Sequence, residues 1–210
     1  MSKLTWDDDG KKYYELGVSD VAAFINGKGY AWNGVSNVSE SPSGADVTAI
    51  YADNIKYASI RGIEKLEGSI SAYQTFKEFC VCDGRVEAAP GVFVKQQTRQ
   101  PFGLVYKTKV GDDAKGLKSG YKLHIIWEVT ISPSSKSHST INDSPEAVEL
   151  SYDFTTDPVA ITGHKAIASM TIDSRTVNAT KLAALETKIY GSTSTEPTLP
   201  TPDEVVALVA

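Results

Sequence analysis

Ser137, His138, Ser139 and Asp143 crowd into the first part of "SHSTINDSPEAVELSYDF", residues 137–154. These are the residue types of a nucleophile, a general base and the group that orients it. A serine triad works because a rigid scaffold holds members drawn from separate segments in fixed geometry. Here all would ride on one loop, with no G-x-S-x-G elbow and no oxyanion donor. Ser, Asn, Asp and Pro are also what a loop uses to bond its own backbone. The segment therefore reads as a loop leading into a strand.

The other chemically suggestive residues read in the same way. Cys80 and Cys82 form a lone C-x-C. A zinc site needs four ligands, usually as two separated pairs, and redox pairs are C-x-x-C at a helix start. His124, His138 and His164 are scattered without ligand spacing, and Cys80 continues an apolar stripe with Phe76 and Phe79. A free Cys behaves as a small buried hydrophobe, so the pair reads as packing. Asp7-Asp8-Asp9-Gly10 would need a Glu six residues beyond the Gly to hold calcium, where Leu16 stands. "NGKGYAWNG" lacks the G-x4-G-K-S/T of a phosphate loop. No catalytic residue, metal or cofactor is expected, and the chain does not read as an enzyme.

What holds these residues is a chain dominated by period-2 alternation. "AAFINGKGYAW" reads as a hairpin with its turn at Asn26–Gly29, and "LTWDDDGKKYYEL" as another turned at Asp9–Gly10. "GADVTAIYADNIKYASIRG" reads as one long or broken strand, followed by strands in "EGSISAY" and "PFGLVYKTKVG". In "GYKLHIIWEVTIS" the residues Tyr121, Leu123, Ile125, Trp127, Val129 and Ile131 fall on one face. Val148, Leu150, Tyr152 and Phe154 alternate with Glu149, Ser151 and Asp153, a strand with one wet face.

Helical signals are few. "YQTFKEFCV" carries about two turns. "NATKLAALETKIYG" has Asn178 to cap it, Leu182, Leu185 and Ile189 as a stripe, and Gly191 to end it. "TPDEVVALVA" begins with Thr201, Pro202 and Glu204, a capping box. The prediction is a mostly-β sandwich or barrel with two or three short peripheral helices. Residues 1–191 form its body, 192–201 a Pro/Ser/Thr linker, and 202–210 a helical arm suited to docking on a neighbour.

Charge narrows the partners. The chain has 21 basic and 26 acidic residues, a net of -5, with no basic block. Gripping duplex DNA needs a positive surface that releases counterions. The balance excludes such a binder but not a conduit that surrounds DNA without holding it. No apolar run approaches the roughly 18 residues of a membrane span, and the first ten residues lack the apolar core of a signal peptide. No membrane partner is expected, and the two cysteines fit a reducing cytoplasm.

The combination "NGVSNVSESPSGADVTAIYADNIKY", "EFCVCDG", "PGVFVKQQTRQPFGLVYKT", "INDSPEAVELSYDFTTDPV" and "KLAALETKIYG…EPTLPTPDEVVALVA" resembles the major tail protein, or tail tube protein, of long-tailed bacteriophages with non-contractile tails. The likeness runs in order over nearly the whole chain. It implies a β-sandwich subunit of stacked, hexameric rings that form the tail tube, the conduit for genome delivery. Its partners would be further copies of itself and the tape-measure, terminator and distal tail proteins, with DNA only as passing cargo. Assembly would occur in the host cytoplasm and the product would be part of the virion tail. The tube subunit of a type VI-like secretion system or phage-derived particle shares this physics. A carbohydrate-binding sandwich is a further alternative, and would display Trp32 and Tyr57 on an exposed platform.

On this reading Glu149, Ser151 and Asp153, with Lys122, His124 and Glu128 of the 121–131 strand, are candidates to face the lumen. They could equally face bulk solvent. The long loops Ser36–Gly44 and Ser132–Glu146, the N-terminal hairpin and the C-terminal helix are candidates for contacts between subunits or rings. Their residues are Asp7, Asp8, Asp9, Ser41, Pro42, Ser43, Asn142, Asp143, Pro145, Glu204, Val205 and Leu208.

Overall fold

The computed structural model describes residues 4–6, 8–44, 47–134, 136–138, 140, 141, 143 and 147–210. Its strands are β1 (Tyr14–Ile25), β2 (Lys28–Ala31), β3 (Val35–Ser43), β4 (Val47–Ala52), β5 (Ile55–Arg61), β6 (Lys65–Ala72), β7 (Val86–Ala89), β8 (Val92–Val94), β9 (Phe102–Asp112), β10 (Gly116–Ile131), β11 (Leu150–Thr156) and β12 (Ser169–Asp173). Two α-helices follow, α1 (Ala179–Tyr190) and α2 (Pro202–Val209), and a short 3-10 turn spans Lys77–Val81. With strands at 47% and helical residues, the 3-10 turn included, at 13% of the described residues, the fold is mostly β.

One antiparallel sheet carries the molecule in the order β2-β1-β9-β10-β11-β6-β3, with β12 also paired to β10. It curls so that β3 approaches β1, but the two do not pair and the sheet is not closed into a barrel. β10 carries β9 along one edge. On the other it meets β12 through Lys122–Ile126 and then β11 through Val129–Ile131.

The change of partner coincides with a bulge. The register against β9 shifts between Ile126 and Val129, and Glu128 sits at φ +49°. An extra residue in one strand sends every later side chain to the opposite face. Leu123, Ile125 and Trp127 accordingly belong to one core, and Ile126, Val129 and Ile131 to the other. The single apolar face expected from Tyr121 to Ile131 is thus corrected, because period 2 holds only up to the bulge.

Both cores follow from this sheet. Inside the curl lie Leu104, Ile126, Ile70, Tyr152 and Phe154, with Trp32 and Phe79 across from them. On the back of β1, β9 and β10 the stripe Leu182, Leu185 and Ile189 of α1 covers Val105, Leu123, Ile125 and Trp127. The cap expected at Asn178 is made, its side chain accepting from the amides of Thr180 and Lys181, and Gly191 ends the helix. At α2 the Thr201–Glu204 capping box is complete.

Helix α2 does not stand off as an arm. Its Val205 is 0% exposed in the same core as α1. Trp127 Nε1 donates to the Pro200 carbonyl at 2.9 Å, Thr162 donates to Asp203, and Lys188 pairs with Glu204 at 2.9 Å. Leu208 packs against the same core. The tethered arm of 202–210 is therefore corrected to an element of the body, because its apolar stripe fills a patch that α1 leaves bare. Val205 is buried within the chain, Leu208 is half-buried against the same core, and Glu204 is exposed with its carboxylate on Lys188.

Two further expectations change. Residues 36–43, read as loop, lie in β3, where Ser41, Pro42 and Ser43 pair with Glu67, Leu66 and Lys65. The N-terminal hairpin is reduced to its turn. The amides of Gly10 and Lys12 donate to the Asp113 carboxylate, and no strand precedes the turn among the described residues.

Candidate functional site

The outward face of β11, β6 and β3 is the surface on which the alternation of residues 148–154 comes to bear. Ser151, Asp153 and Thr155 are opposite Ser71, Ser69 and Glu67, which in turn are opposite Asn37, Ser39 and Ser41. The residues between them on β11 and β6, including Tyr152, Phe154, Ile70 and Leu66, point into the core. Gly68 permits this tight layering, since a Cβ there would lie 2.0 Å from the Ser39 carbonyl oxygen. The result is a patch of short hydroxyls and one amide, with two carboxylates and neither Lys nor Arg. Lys65, at its margin, pairs with Asp157 at 3.6 Å. Glu149 lies just before β11 and accepts a hydrogen bond from Ser36.

Lys122 and His124 are not on this face, which corrects their grouping with Ser151 and Asp153. They share the side of β10 that carries Ile126, so they point toward the inside of the curl. His124 is only 14% exposed and stacks on Tyr106 with ring centroids 4.6 Å apart. Its two ring nitrogens lie 2.9 Å from Thr108 Oγ1 and 3.2 Å from Thr171 Oγ1. Lys122 and Thr108 both bond Glu15, and Tyr106 donates to Glu40. Burial pushes the Tyr106 phenol well above its ordinary range, so it stays a donor. Glu128 is exposed at the bulge, on neither patch.

A second surface is apolar. β4 and β5 fold back on each other at Asp53–Asn54, both at positive φ as a tight hairpin turn requires, and form a sheet of their own. Tyr51, Ile55 and Tyr57 are 70%, 65% and 75% exposed, and Val47, Ile50, Ile60 and Ile63 are exposed beside them. The one long or broken strand expected here is corrected to two antiparallel ones; the Asp-Asn pair between two apolar runs is the turn signal that expectation passed over. The small hairpin β7–β8 likewise shows Val86, Val92 and Val94. The main sheet ends in two edge strands, β2 and β3, each paired on one side only, so Ser41, Pro42 and Ser43 lie on an open edge.

The remaining residues singled out in the sequence are dispersed. Asp8 is held by Lys11 at 2.8 Å, and the exposed Asp9 lies 3.4 Å from Lys12. Asp7, Asn142 and Pro145 lie outside the described residues, as does Ser139 of the apparent triad. Ser137, His138 and Asp143 are exposed, with no hydrogen bond joining them among the described residues. Cys80 and Cys82 are buried and unpaired with each other, and burial pushes the Cys82 thiol up to about 12, where it is inert. Trp32 is 3% exposed, its indole donating to the Gln74 carbonyl, so it forms no platform with Tyr57. Among the described residues no three His, Cys, Asp or Glu gather as a metal cage requires, and no helix is long and apolar enough to cross a membrane. No protein-family model matches the chain, and no curated protein matches it.

Proposed function

We propose that the chain is a structural subunit that assembles with copies of itself into rings stacked as a phage-type tail tube, and that it carries out no catalysis. The observation that carries this reading is the β4–β5 hairpin. A two-stranded hairpin is marginal alone in water, and this one displays Tyr51, Ile55, Tyr57 and Ile60 to solvent. An exposed apolar surface of this kind marks a protein interface.

The open sheet favours another copy as the partner. Edge strands with an open side invite pairing with further chains unless they are covered. Here they stand at opposite ends of one sheet, β2 at one and β3 at the other. Head-to-tail contact between two different surfaces of identical copies generates a ring when the rotation closes. The outward face of β11, β6 and β3 suits the wall of such a ring. Its hydroxyls and carboxylates offer nothing that would grip a phosphate backbone. The likeness to tail tube proteins supplies the biological setting, with the virion tail as the location and the tape-measure, terminator and distal tail proteins as partners.

The test is assembly. Purified protein at rising concentration is expected to give rings or striated tubes by negative-stain microscopy. A Tyr51→Ser/Tyr57→Ser/Ile60→Ser variant is expected to keep its circular dichroism spectrum and remain monomeric by light scattering. A wild-type chain that stays a monodisperse monomer at every concentration, even with a tail initiator complex present, would overturn the proposal.

A further inference from the structure

A cavity of about 430 Å³ opens at one end of the inner core. Its wall is built by local backbone pairing. After the 3-10 turn Lys77–Val81 the chain presents Asp83 and Arg85, then returns from the β7–β8 hairpin as Lys95–Arg99. The Gln97 amide bonds the Gly84 carbonyl at 3.0 Å, and the Gln100 amide bonds that of Val81 at 3.2 Å. Arg99 lies over Gly84, where a Cβ would come within 3.3 Å of its Cγ. Lys136 closes the opposite side, its Nζ 2.7 Å from Asp83 and 4.9 Å from the centre of the Tyr152 ring.

The cavity is thus lined by Arg85, Lys95, Arg99 and Lys136 against the single carboxylate of Asp83. That carboxylate is only 10% exposed. Arg85 Nε is 2.9 Å away from it but out of hydrogen-bond alignment. Three buried groups around this one space make no aligned hydrogen bond among the described residues: Arg85 Nε, Arg99 Nε and the Tyr152 hydroxyl. Tyr152 is 0% exposed. Buried donors are nearly always paired, so three converging on a cationic cavity point to an acceptor from outside the chain. Guanidinium groups present forks that match tetrahedral oxyanions and carboxylates. Four cations against one carboxylate leave more charge than a single carboxylate ligand would balance. A phosphate group brings close to two negative charges and three acceptor oxygens at neutral pH.

We propose that this cavity binds a terminal phosphate group, either as inorganic phosphate or on a small phosphate monoester. The site is independent of whether the chain assembles, and uses none of the hairpin or outward-face residues.

The test is titration of the full chain with inorganic phosphate at constant ionic strength, read by calorimetry and by the thermal midpoint. Saturable binding and a raised midpoint are expected, with no such rise for matched sodium chloride. Arg99→Gln is expected to weaken phosphate binding about tenfold, the loss of one charge-assisted bond. Tyr152→Phe is expected to weaken it several-fold while leaving the phosphate-free midpoint unchanged or higher, since the hydroxyl gives up no bond in the free chain. If Arg99→Gln does not fold, the exposed Lys95→Gln takes its place. Glycerol phosphate as a second probe separates the sources: tighter binding than inorganic phosphate assigns the site to a monoester, and equal binding to the free ion. A midpoint that responds equally to chloride, succinate that binds as tightly as phosphate, or binding untouched by both substitutions would overturn the proposal.

Discussion

His124 shows at the scale of one residue how far spacing can be trusted. Alternation correctly sets Lys122 and His124 apart from Leu123 and Ile125. It cannot show that their side of the strand is closed over by Glu15, Glu40 and Tyr106, which come from β1, β3 and β9. The enclosure has a consequence in acid. Burial lowers the His124 pKa from its ordinary 6.5, with the carboxylates of Glu40 and Glu15 only partly opposing. The unfolded chain therefore takes up this proton first as pH falls, and stability held above about pH 6.5 is lost below it. Glu15 acts in a lower window. Burial works to raise its pKa from 4.5, but the hydrogen bonds from Lys122 and Thr108 hold it below that value. Its contribution is present above pH 4.5 and is lost as pH falls further. The urea midpoint is expected to drop between pH 7.5 and 5.5, and His124→Gln to flatten that drop. A wild-type midpoint that stays level across this interval would place the imidazole in water.

The elements divide by how local their causes are. Helices α1 and α2 stand where the caps at Asn178 and Thr201 put them, because capping is settled within one turn. The β1–β2 turn at Asn26–Gly27, both at positive φ, is equally local. The bulge at Glu128 is not, because its cause is the exchange of β12 for β11 along the edge of β10. The docking of α2 is not local either. It depends on Trp127 reaching Pro200 and on the cavity that Val205 fills beside α1. Val205→Asp would bury an unpaired carboxylate in that contact, at a cost of several kcal/mol if the helix stayed in place. Release of α2 is the expected result. Limited proteolysis should then cut within residues 192–200 much faster than in wild type, with the sheet's circular dichroism signal retained. Unchanged cleavage would show that α2 is held by something other than this core.

At the scale of the whole molecule the outward face of β11, β6 and β3 matters as a surface of one character. Within a tube, carboxylates on such a wall act over a Debye length of about 8 Å and keep a passing phosphate backbone from sticking. Replacing Glu67 and Asp153 by Lys would put two cations per subunit on it, multiplied around each ring of the proposed tube. Both are exposed and unpaired among the described residues, so folding and tube formation should be spared. DNA delivery is expected to fall about tenfold or more, because each added phosphate contact slows release. Particles of normal infectivity carrying both substitutions would remove this face from the lumen.

By itself the sequence determined the mostly-β class, most of the long strands, both α-helices with their caps, and the buried packing of the two cysteines. Each rests on spacing or turn chemistry within a few residues, which the backbone obeys wherever the segment lies. Only the tertiary structure decided which face of β10 meets which core, that residues 36–43 form an edge strand, and that the C-terminal helix belongs to its own body. It also decided that Arg85, Arg99, Lys136 and Tyr152 line one cavity. Burial and charge are properties of pairs, and these pairs join residues dozens of positions apart that meet only once the sheet has curled.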